Sequence, residues 1–400
     1  MDQPESPNSK KTILFFFNGS FVNCENGAQW RAYSSLSYLV RQGFSVRVYS
    51  YSNYKVRPWH QADIAAFANH FPKATLHLER CSRGLAILAK AKKFLSGLLP
   101  TWTPWLMRMS MPGLTPIYDQ LRAAGIDAVF VNYTTGTLDL NGLEPGRVIV
   151  DTHDLLFVQF AKRTGRSIFA GRVIQKFRSE TSLLTACAAT IGIANADTAL
   201  FRLCLGDKPI LFIPDFGTIR VAQTRSNQAS IGRLLFVGSD NPFNVEGLAH
   251  FLATWSDLVE QIGLDVAGKV SRHPDVVSAT TSISNIRLLG YVDDLGALYA
   301  NARAVISPVD GTGIKIKVLE ALAAGVPVFG SAHTLQGLPP DHDGCVFPID
   351  EVMPALLGDP ERLKHASQAA YAWSSSLAVS SGLTDLAVML HHLTTRRQHR

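Results

Sequence analysis

Short apolar runs ending in glycine or polar residues recur along the chain, separated by stretches with helical spacing. Thr12 to Asn18 (TILFFFN), Ser45 to Tyr51 (SVRVYSY), Ala128 to Asn132 (AVFVN), Arg147 to Asp151 (RVIVD), Thr190 to Ala194 (TIGIA) and Ile210 to Pro214 belong to the first half. Arg233 to Gly238 (RLLFVG), Leu264 to Ala267, Ile286 to Leu289, Ala304 to Ser307 and Pro327 to Gly330 belong to the second. Unbroken apolar runs of this length predict strands covered on both faces, as in parallel sheets. Between them the spacing predicts helices opening near Trp30 and over 171–188, 196–205, 247–259, 293–301, 314–324 and 361–395. Alternating strands and helices predict two doubly wound α/β domains. Residues 215–232 are polar and lack apolar periodicity, which predicts a linker. The expected division is a flexible tail at 1–10, a first domain at 11–214, the linker, and a second domain at 233–360. Helices over 361–400, ending in a basic tail, are expected to return to the first domain.

Composition agrees with two globular cores. At 400 residues the chain exceeds one ordinary domain, and 46% hydrophobic with 18% charged residues excludes a disordered chain. The five cysteines, Cys24, Cys81, Cys187, Cys204 and Cys345, are scattered and form no C-x-x-C. That spacing argues against a disulfide framework or zinc site and for a reducing, cytoplasmic setting. The polar start carries no signal-peptide pattern, and no apolar run has transmembrane length. A formal charge of +6 is compatible with phosphorylated ligands or an anionic lipid surface and gives no nucleic-acid signature. No G-x-G-x-x-G follows a strand, which argues against a dinucleotide-dependent dehydrogenase.

Residues 80–114 change the picture locally. Arg80, Arg83, Lys90, Lys92, Lys93 and Arg108 are interleaved with leucines, Phe94, Trp102 and Trp105. Such a segment suits a helix lying on an anionic membrane at its inner face. An ordinary amphipathic helix packed on the domain with its lysines in water is the commoner origin of such a pattern.

The densest candidate chemistry lies between Val305 and Gly330. Gly311 and Gly313 allow close backbone approach to a ligand, and the helix after them offers unpaired N–H groups to an anion. Winding 314–324 at the helical period puts Gly313, Lys317, Glu320 and Ala324 on one stripe, opposite Ile314, Val318, Leu319, Leu322 and Ala323. A cation beside a phosphate and a carboxylate beside hydroxyls outline a nucleotide-sugar site. The alternative is a solvated Lys317–Glu320 pair on a surface helix.

The segment 286–302 (IRLLGYVDDLGALYANA), Ser307-Pro308 and GTGIKIKVLEA over 311–321 resemble the donor-binding core of the GT-B glycosyltransferases, family 4 in the broad sense. The resemblance covers nearly the whole chain and is more specific in its second half. It implies a GT-B fold: two Rossmann-like doubly wound domains facing across a cleft, C-terminal helices crossing back, donor in the second domain and acceptor mostly in the first. It further implies transfer with retention, no metal and no cofactor, with a UDP- or GDP-type sugar as donor. Glu320 matches the second glutamate of the family's E-x7-E motif, the ribose contact; the first glutamate falls on Thr312, which leaves the sugar open. Gly313, Ile314 and Lys315 would turn backbone N–H groups to the diphosphate or sugar. Gly238, Ser239, Tyr291, Val292, Gly311 and Thr312 complete the implied donor contacts.

The resemblance also exposes a gap in charge. Relatives often carry an arginine and a lysine after the first strand of this domain, whereas 238–244 (GSDNPFN) has no cation. Lys317, ranked above Lys315, is the candidate to neutralise the leaving diphosphate. In the first domain Gly27 and Ala28 stand where relatives have a glycine-rich loop. His153 stands where a histidine lines the cleft, with Asp154 beside it; the alternative is that Asp151 or Asp154 caps a helix and His153 packs. Arg178 and Glu180 are expected to be structural or weak acceptor contacts. The expected catalytic set is His153, Lys317 and Glu320, acting in retaining transfer from a nucleotide-diphosphate sugar to a glycan or lipid-linked acceptor of a surface polysaccharide or glycoconjugate. A non-hydrolysing nucleotide-sugar epimerase and a catalytically silent binding subunit are the other readings of the same fold.

Overall fold

The computed structural model describes residues 11–217, 232–310, 313–339, 341–350, 352–377 and 381–395. Two compact units emerge: Met1–Ile193, Asp197–Phe216 and Ser381–Arg400 form unit 1, and Gly217–Ser380 with Ala194–Ala196 form unit 2.

The first part of the chain runs β1 (Thr12–Phe16), α1 (Gly27–Arg41), β2 (Ser45–Tyr51), α2 (Gln61–His70), β3 (Ala74–Glu79), α3 (Arg83–Leu98), α4 (Thr103–Arg108), α5 (Pro116–Ala123), β4 (Ala128–Asn132), α6 (Gly136–Asp139), β5 (Val148–Asp151), α7 (Leu156–Arg163), α8 (Gly171–Ala186), β6 (Ala189–Gly192), α9 (Asn195–Leu205) and β7 (Ile210–Phe212). Its seven strands are all parallel, in the order β3-β2-β1-β4-β5-β6-β7. Period-two alternation sends Ile13, Phe15, Val46 and Val48 to one face, against Leu36 and Leu39 of α1. Leu14, Phe16, Val129 and Val131 go to the other face, against Leu85 of α3, Leu106 and Met107 of α4 and Leu183 and Leu184 of α8. Fully burying each such side chain stabilises the fold by about 1.5–3 kcal/mol, which is why register is fixed on both faces.

Unit 2 runs β8 (Leu234–Val237), α10 (Pro242–Ile262), β9 (Leu264–Ala267), α11 (Pro274–Thr280), β10 (Ile286–Gly290), α12 (Gly296–Asn301), β11 (Ala304–Ser307), α13 (Ile316–Ala323), β12 (Val328–Gly330), α14 (Ala332–Gly337), β13 (Val346–Pro348), α15 (Met353–Leu357) and α16 (Pro360–Leu377). Its six strands are parallel in the order β10-β9-β8-β11-β12-β13. In each sheet the strand order reverses beside the first strand, between β1 and β4 and between β8 and β11. In doubly wound sheets ligands bind outside the carboxyl ends of the strands at that reversal.

The apolar runs appear as strands with ends shifted by at most two residues, and both doubly wound units are present. Two strands, β3 and β13, and several short helices, α2 and α5 among them, escape the pattern. β3 is a partly buried edge strand with Thr75 and His77 among its residues, β13 has only three residues, and α2 buries little beyond Phe67 and Asp63. Edge and short elements need fewer apolar residues, so periodicity reports them weakly. The C-terminal helices divide differently from the expectation. α16 with Trp373 belongs to unit 2, and α17 (Ser381–Thr395) belongs to unit 1. There Leu386 and Leu390 enter the core, Tyr38 Oη donates to Leu383 O at 2.7 Å, and Lys11 Nζ donates to Thr394 O at 2.9 Å. Most of the expected linker, 218–231, lies outside the described residues, as do the 1–10 and 396–400 tails.

Candidate functional site: the carboxyl ends of the strands

In unit 2 the chain leaves β8 at Gly238 and enters α10 through Asn241, whose Oδ1 accepts from Asn244 N at 2.9 Å, with Pro242 in the first turn. Asn–Pro at this position is a helix-start signal, and it turns Asn244 back over the loop. Asn244 Nδ2 donates to Ser239 O at 3.0 Å and to Ser239 Oγ at 3.3 Å. A Cβ on Gly238 would stand 2.8 Å from the Phe236 ring, and one on Gly247 would stand 2.0 Å from Pro308 O. Glycine at 247 therefore lets α10 lie directly on the chain leaving β11, which brings the two loops of the reversal together.

Lys317 closes this corner. Its Nζ donates to Asn244 Oδ1 at 3.2 Å and stands 4.0 Å from the centroid of Phe236. Desolvation lowers its pKa to about 7, and the neighbouring Lys315 charge adds to the shift. The loop after β8 has no cation of its own, yet a lysine from a different element is held against it by Asn244. Three residues on, Glu320 Oε2 accepts a hydrogen bond from Tyr299 Oη at 2.9 Å. Burial raises the Glu320 pKa to about 6, against the Tyr299 bond, which lowers it. Tyr299, on α12, is itself buried and also donates to Lys317 O at 3.4 Å. Lys317 and Glu320 thus share a half-buried, partnered environment, and the solvated surface pair is excluded.

The helical wheel needs one correction. α13 begins at Ile316, not at 314, because Lys315 is its N-cap with extended backbone (φ −93°, ψ 107°). Lys315 therefore lies before the helix proper, and its Nζ donates to Gly313 O at 3.1 Å. Gly313 takes a left-handed φ of 73°, the role that favours glycine, and Ile314 is buried. Tyr291 and Val292 follow β10, with Tyr291 exposed. Gly311 and Thr312 lie outside the described residues.

In unit 1 His153 follows β5. It is buried, its ring stacks on Tyr133 at 4.2 Å, and its Nε2 is 2.9 Å from Asn132 Oδ1. Asn132 Nδ2 already donates to Phe16 O at 3.0 Å, so Nε2 carries the proton and Nδ1 keeps its lone pair. Burial lowers the His153 pKa to about 4 even though Asp151 pulls the other way, so the ring is neutral at physiological pH. Asp151 is held by Arg31 through Nε at 2.9 Å and Nη2 at 3.1 Å, with both side chains almost fully buried. Asp151 caps no helix; it anchors α1 to β5. Glu180 is structural, accepting from Leu156 N and Phe157 N at 3.1 Å each at the start of α7. Burial raises the Tyr133 and Glu180 pKa values, and the charge of half-buried Asp154 adds to both shifts.

His153 (φ 61°) and Tyr133 (φ 64°) both hold left-handed backbone at neighbouring strand ends. That conformation costs a non-glycine residue of order 1–3 kcal/mol, and such strain collects at functional sites. Arg57 reaches the Tyr133 hydroxyl and lies over the Phe17 ring at 5.3 Å. Among the described residues Asn18 Oδ1, Ser20 Oγ, Thr134 Oγ1 and Arg57 Nη1 are buried without a hydrogen-bond partner. These groups flank the β1–β4 reversal. Gly27 and Ala28 differ from expectation: they form the first turn of α1 behind the N-cap Asn26, not a loop.

Asn244, Tyr299, Arg57 and Tyr133 were not assigned roles from the sequence. Asn–Pro at the start of α10 pointed to Asn244, and Tyr299 lies within the 286–302 segment. Nothing local marks Arg57 or Tyr133. No group of three or more His, Cys, Asp or Glu among the described residues is arranged to hold a metal ion.

Residues 232–359 match the family model described as glycosyl transferases group 1. No curated protein matches the chain by sequence. Among solved structures, sucrose-phosphate synthase from Thermosynechococcus elongatus is similar at TM-score 0.65 and 14% identity, over 97% of this chain and 99% of that one. WaaG, a glycosyltransferase involved in lipopolysaccharide biosynthesis, is similar at 0.63 and 15%, over 94% and 99%. The pneumococcal O-GlcNAc transferase GtfA, in complex with UDP and GlcNAc, is similar at 0.58 and 8%, over 97% and 100%. Residues 232–359 are thus similar to the glycosyl transferases of group 1, and the chain shares the two-unit GT-B fold of these solved structures.

Proposed function

We propose that the protein transfers a sugar from a UDP- or GDP-type nucleotide sugar to a glycan or lipid-linked acceptor, with retention at the anomeric carbon and without a metal. The observation that carries this reading is the placement of Lys317 against the cation-free loop 238–244 through Asn244, with Glu320 three residues further on. Lys317 and the first N–H groups of α13 would hold the leaving diphosphate, where fixed positive charge acts most strongly as negative charge develops. Glu320, with one oxygen engaged by Tyr299, would accept from the ribose hydroxyls with the other. His153, neutral with Nδ1 as an acceptor, would receive a sugar or acceptor hydroxyl. The complexes of GtfA with UDP and the role of WaaG in lipopolysaccharide synthesis support this substrate class.

Incubation with a panel of nucleotide sugars, with and without glycan or lipid-linked acceptors, tests it. Acceptor-dependent nucleotide release with the α-configured donor giving an α-linked product, undiminished by chelator, is the expected result. Isomerisation of the donor without release would favour epimerase chemistry, and no turnover would favour a binding subunit.

A further inference from the structure

Two segments far apart in sequence share an unusual composition. Residues 80–114 and 155–179 together carry twelve Lys and Arg and no Asp or Glu, whereas the whole chain has a formal charge of only +6. The remainder of the chain is therefore net acidic, and the positive charge is concentrated in these two stretches. The fold joins them. α3 packs directly on α8, with Ser96 Oγ 2.5 Å from Ser179 Oγ, and α4 joins the same layer through Thr103 Oγ1 and Ser182 Oγ at 2.9 Å. A Cβ on Gly97 would stand 2.8 Å from Gln175 O, so the two helices touch backbone to backbone.

The inner face of this layer covers the unit 1 sheet. Its outer face is apolar and basic. Ile87, Phe94, Trp102, Trp105 and Phe169 expose 67, 58, 52, 57 and 80% of their surface. Arg83, Lys90, Arg166, Arg172 and Lys176, from the same two segments, are exposed as well. The lysines of 80–114 do not all face water, as the amphipathic-helix alternative required. Lys92 is buried, donating to Met109 O at 2.8 Å, and Lys93 pairs with Asp139. What the layer turns outward instead is aromatic. Exposing tryptophan rings to water is unfavourable, and a patch of this kind marks an interaction surface.

We propose that the outer face of the α3–α4–α8 layer docks on an anionic lipid bilayer. Charge complementarity selects this occupant: basic side chains meet anionic headgroups, while Trp102, Trp105, Phe94 and Phe169 enter the interfacial zone that aromatic rings favour. No described helix is long and apolar enough to cross a membrane, so the layer lies on the surface. This inference does not rest on the proposed glycosyl transfer, and its test needs no turnover.

Sedimentation of the full chain with vesicles of phosphatidylcholine alone, or mixed equally with phosphatidylglycerol, tests it. Binding is expected only to the anionic vesicles, weakening as salt rises from about 0.1 M to about 1 M and the Debye length falls from about 10 to about 3 Å. Each of Lys90→Gln, Arg166→Gln and Arg172→Gln is expected to weaken it by about fivefold. In the variant Trp102→Phe/Trp105→Phe, sedimentation is expected to persist while quenching of tryptophan fluorescence by brominated acyl chains is lost. Absence of binding, equal binding to neutral vesicles, or quenching that survives in the double variant would each overturn the proposal, the last by placing contact on another face.

Discussion

At the scale of single residues, the decisive feature is how the fold changes the chemistry of Lys317 and Glu320. A lysine brought down to about 7 and a carboxyl raised to about 6 are both titratable near neutrality. Below pH 6 Glu320 is protonated and loses the acceptor strength of an ionised carboxylate; above pH 7 Lys317 is neutral and loses its attraction for a diphosphate. The affinity for a nucleoside diphosphate, measured by calorimetry across pH, is therefore expected to peak between about 6 and 7 and fall on both sides. Glu320→Ala is expected to weaken that affinity by roughly 10–100-fold, the range for charged hydrogen bonds. Tyr299→Phe leaves Glu320 in place without its donor. It should raise KM for the donor several-fold with little change in kcat, and Glu320 should titrate higher because the bond lowering its pKa is gone. An unshifted acid limb of the pH profile would refute a positioning role for Tyr299.

At the scale of elements, the site depends on how closely helices approach loops. Gly247 admits α10 against Pro308 O, a contact at 2.0 Å for any Cβ and far below normal van der Waals separation. Gly247→Ala is expected to force the β11 loop and α10 apart, lower stability by about 1–3 kcal/mol and weaken nucleotide binding through the displaced Asn244. Thermal melts with and without nucleoside diphosphate would show both effects. The true start of α13 belongs to this scale as well. A wheel drawn from residue 314 gave the right face to Lys317 and Glu320, because their spacing is fixed by the helix itself. It misplaced the start of the helix, because the boundary is set by the N-cap backbone and not by periodicity.

At the scale of the molecule, unit 1 is fastened by contacts between residues distant in sequence. Arg31 and Asp151 form a buried bidentate pair that also engages Pro214 O at 3.1 Å and the Phe216 ring at 4.3 Å. Asp151→Ala would leave a guanidinium buried without its charge partner and is expected to cost about 3–5 kcal/mol in urea denaturation. Replacing both partners with apolar residues, Arg31→Met with Asp151→Leu, is expected to recover most of that loss, because no isolated charge remains. A double variant no better than the single would show that the anchor orders α1 in some other way.

The strand runs, the helix spacing and the two doubly wound units were legible in the sequence, because burial on both faces of a parallel sheet demands unbroken apolar runs. The GTGIKIKVLEA stretch and Glu320 were legible too, since a short helix fixes its own stripe. Tertiary structure alone decided the rest. It placed Lys317 on Phe236 and Asn244, gave Glu320 a partner in Tyr299, drew Lys92 inward and joined two basic segments into one layer. Each of these depends on which elements become neighbours, and neighbourhood is set by packing across the whole sheet. Burial and partner distance, which determine charge state, have no counterpart in local pattern.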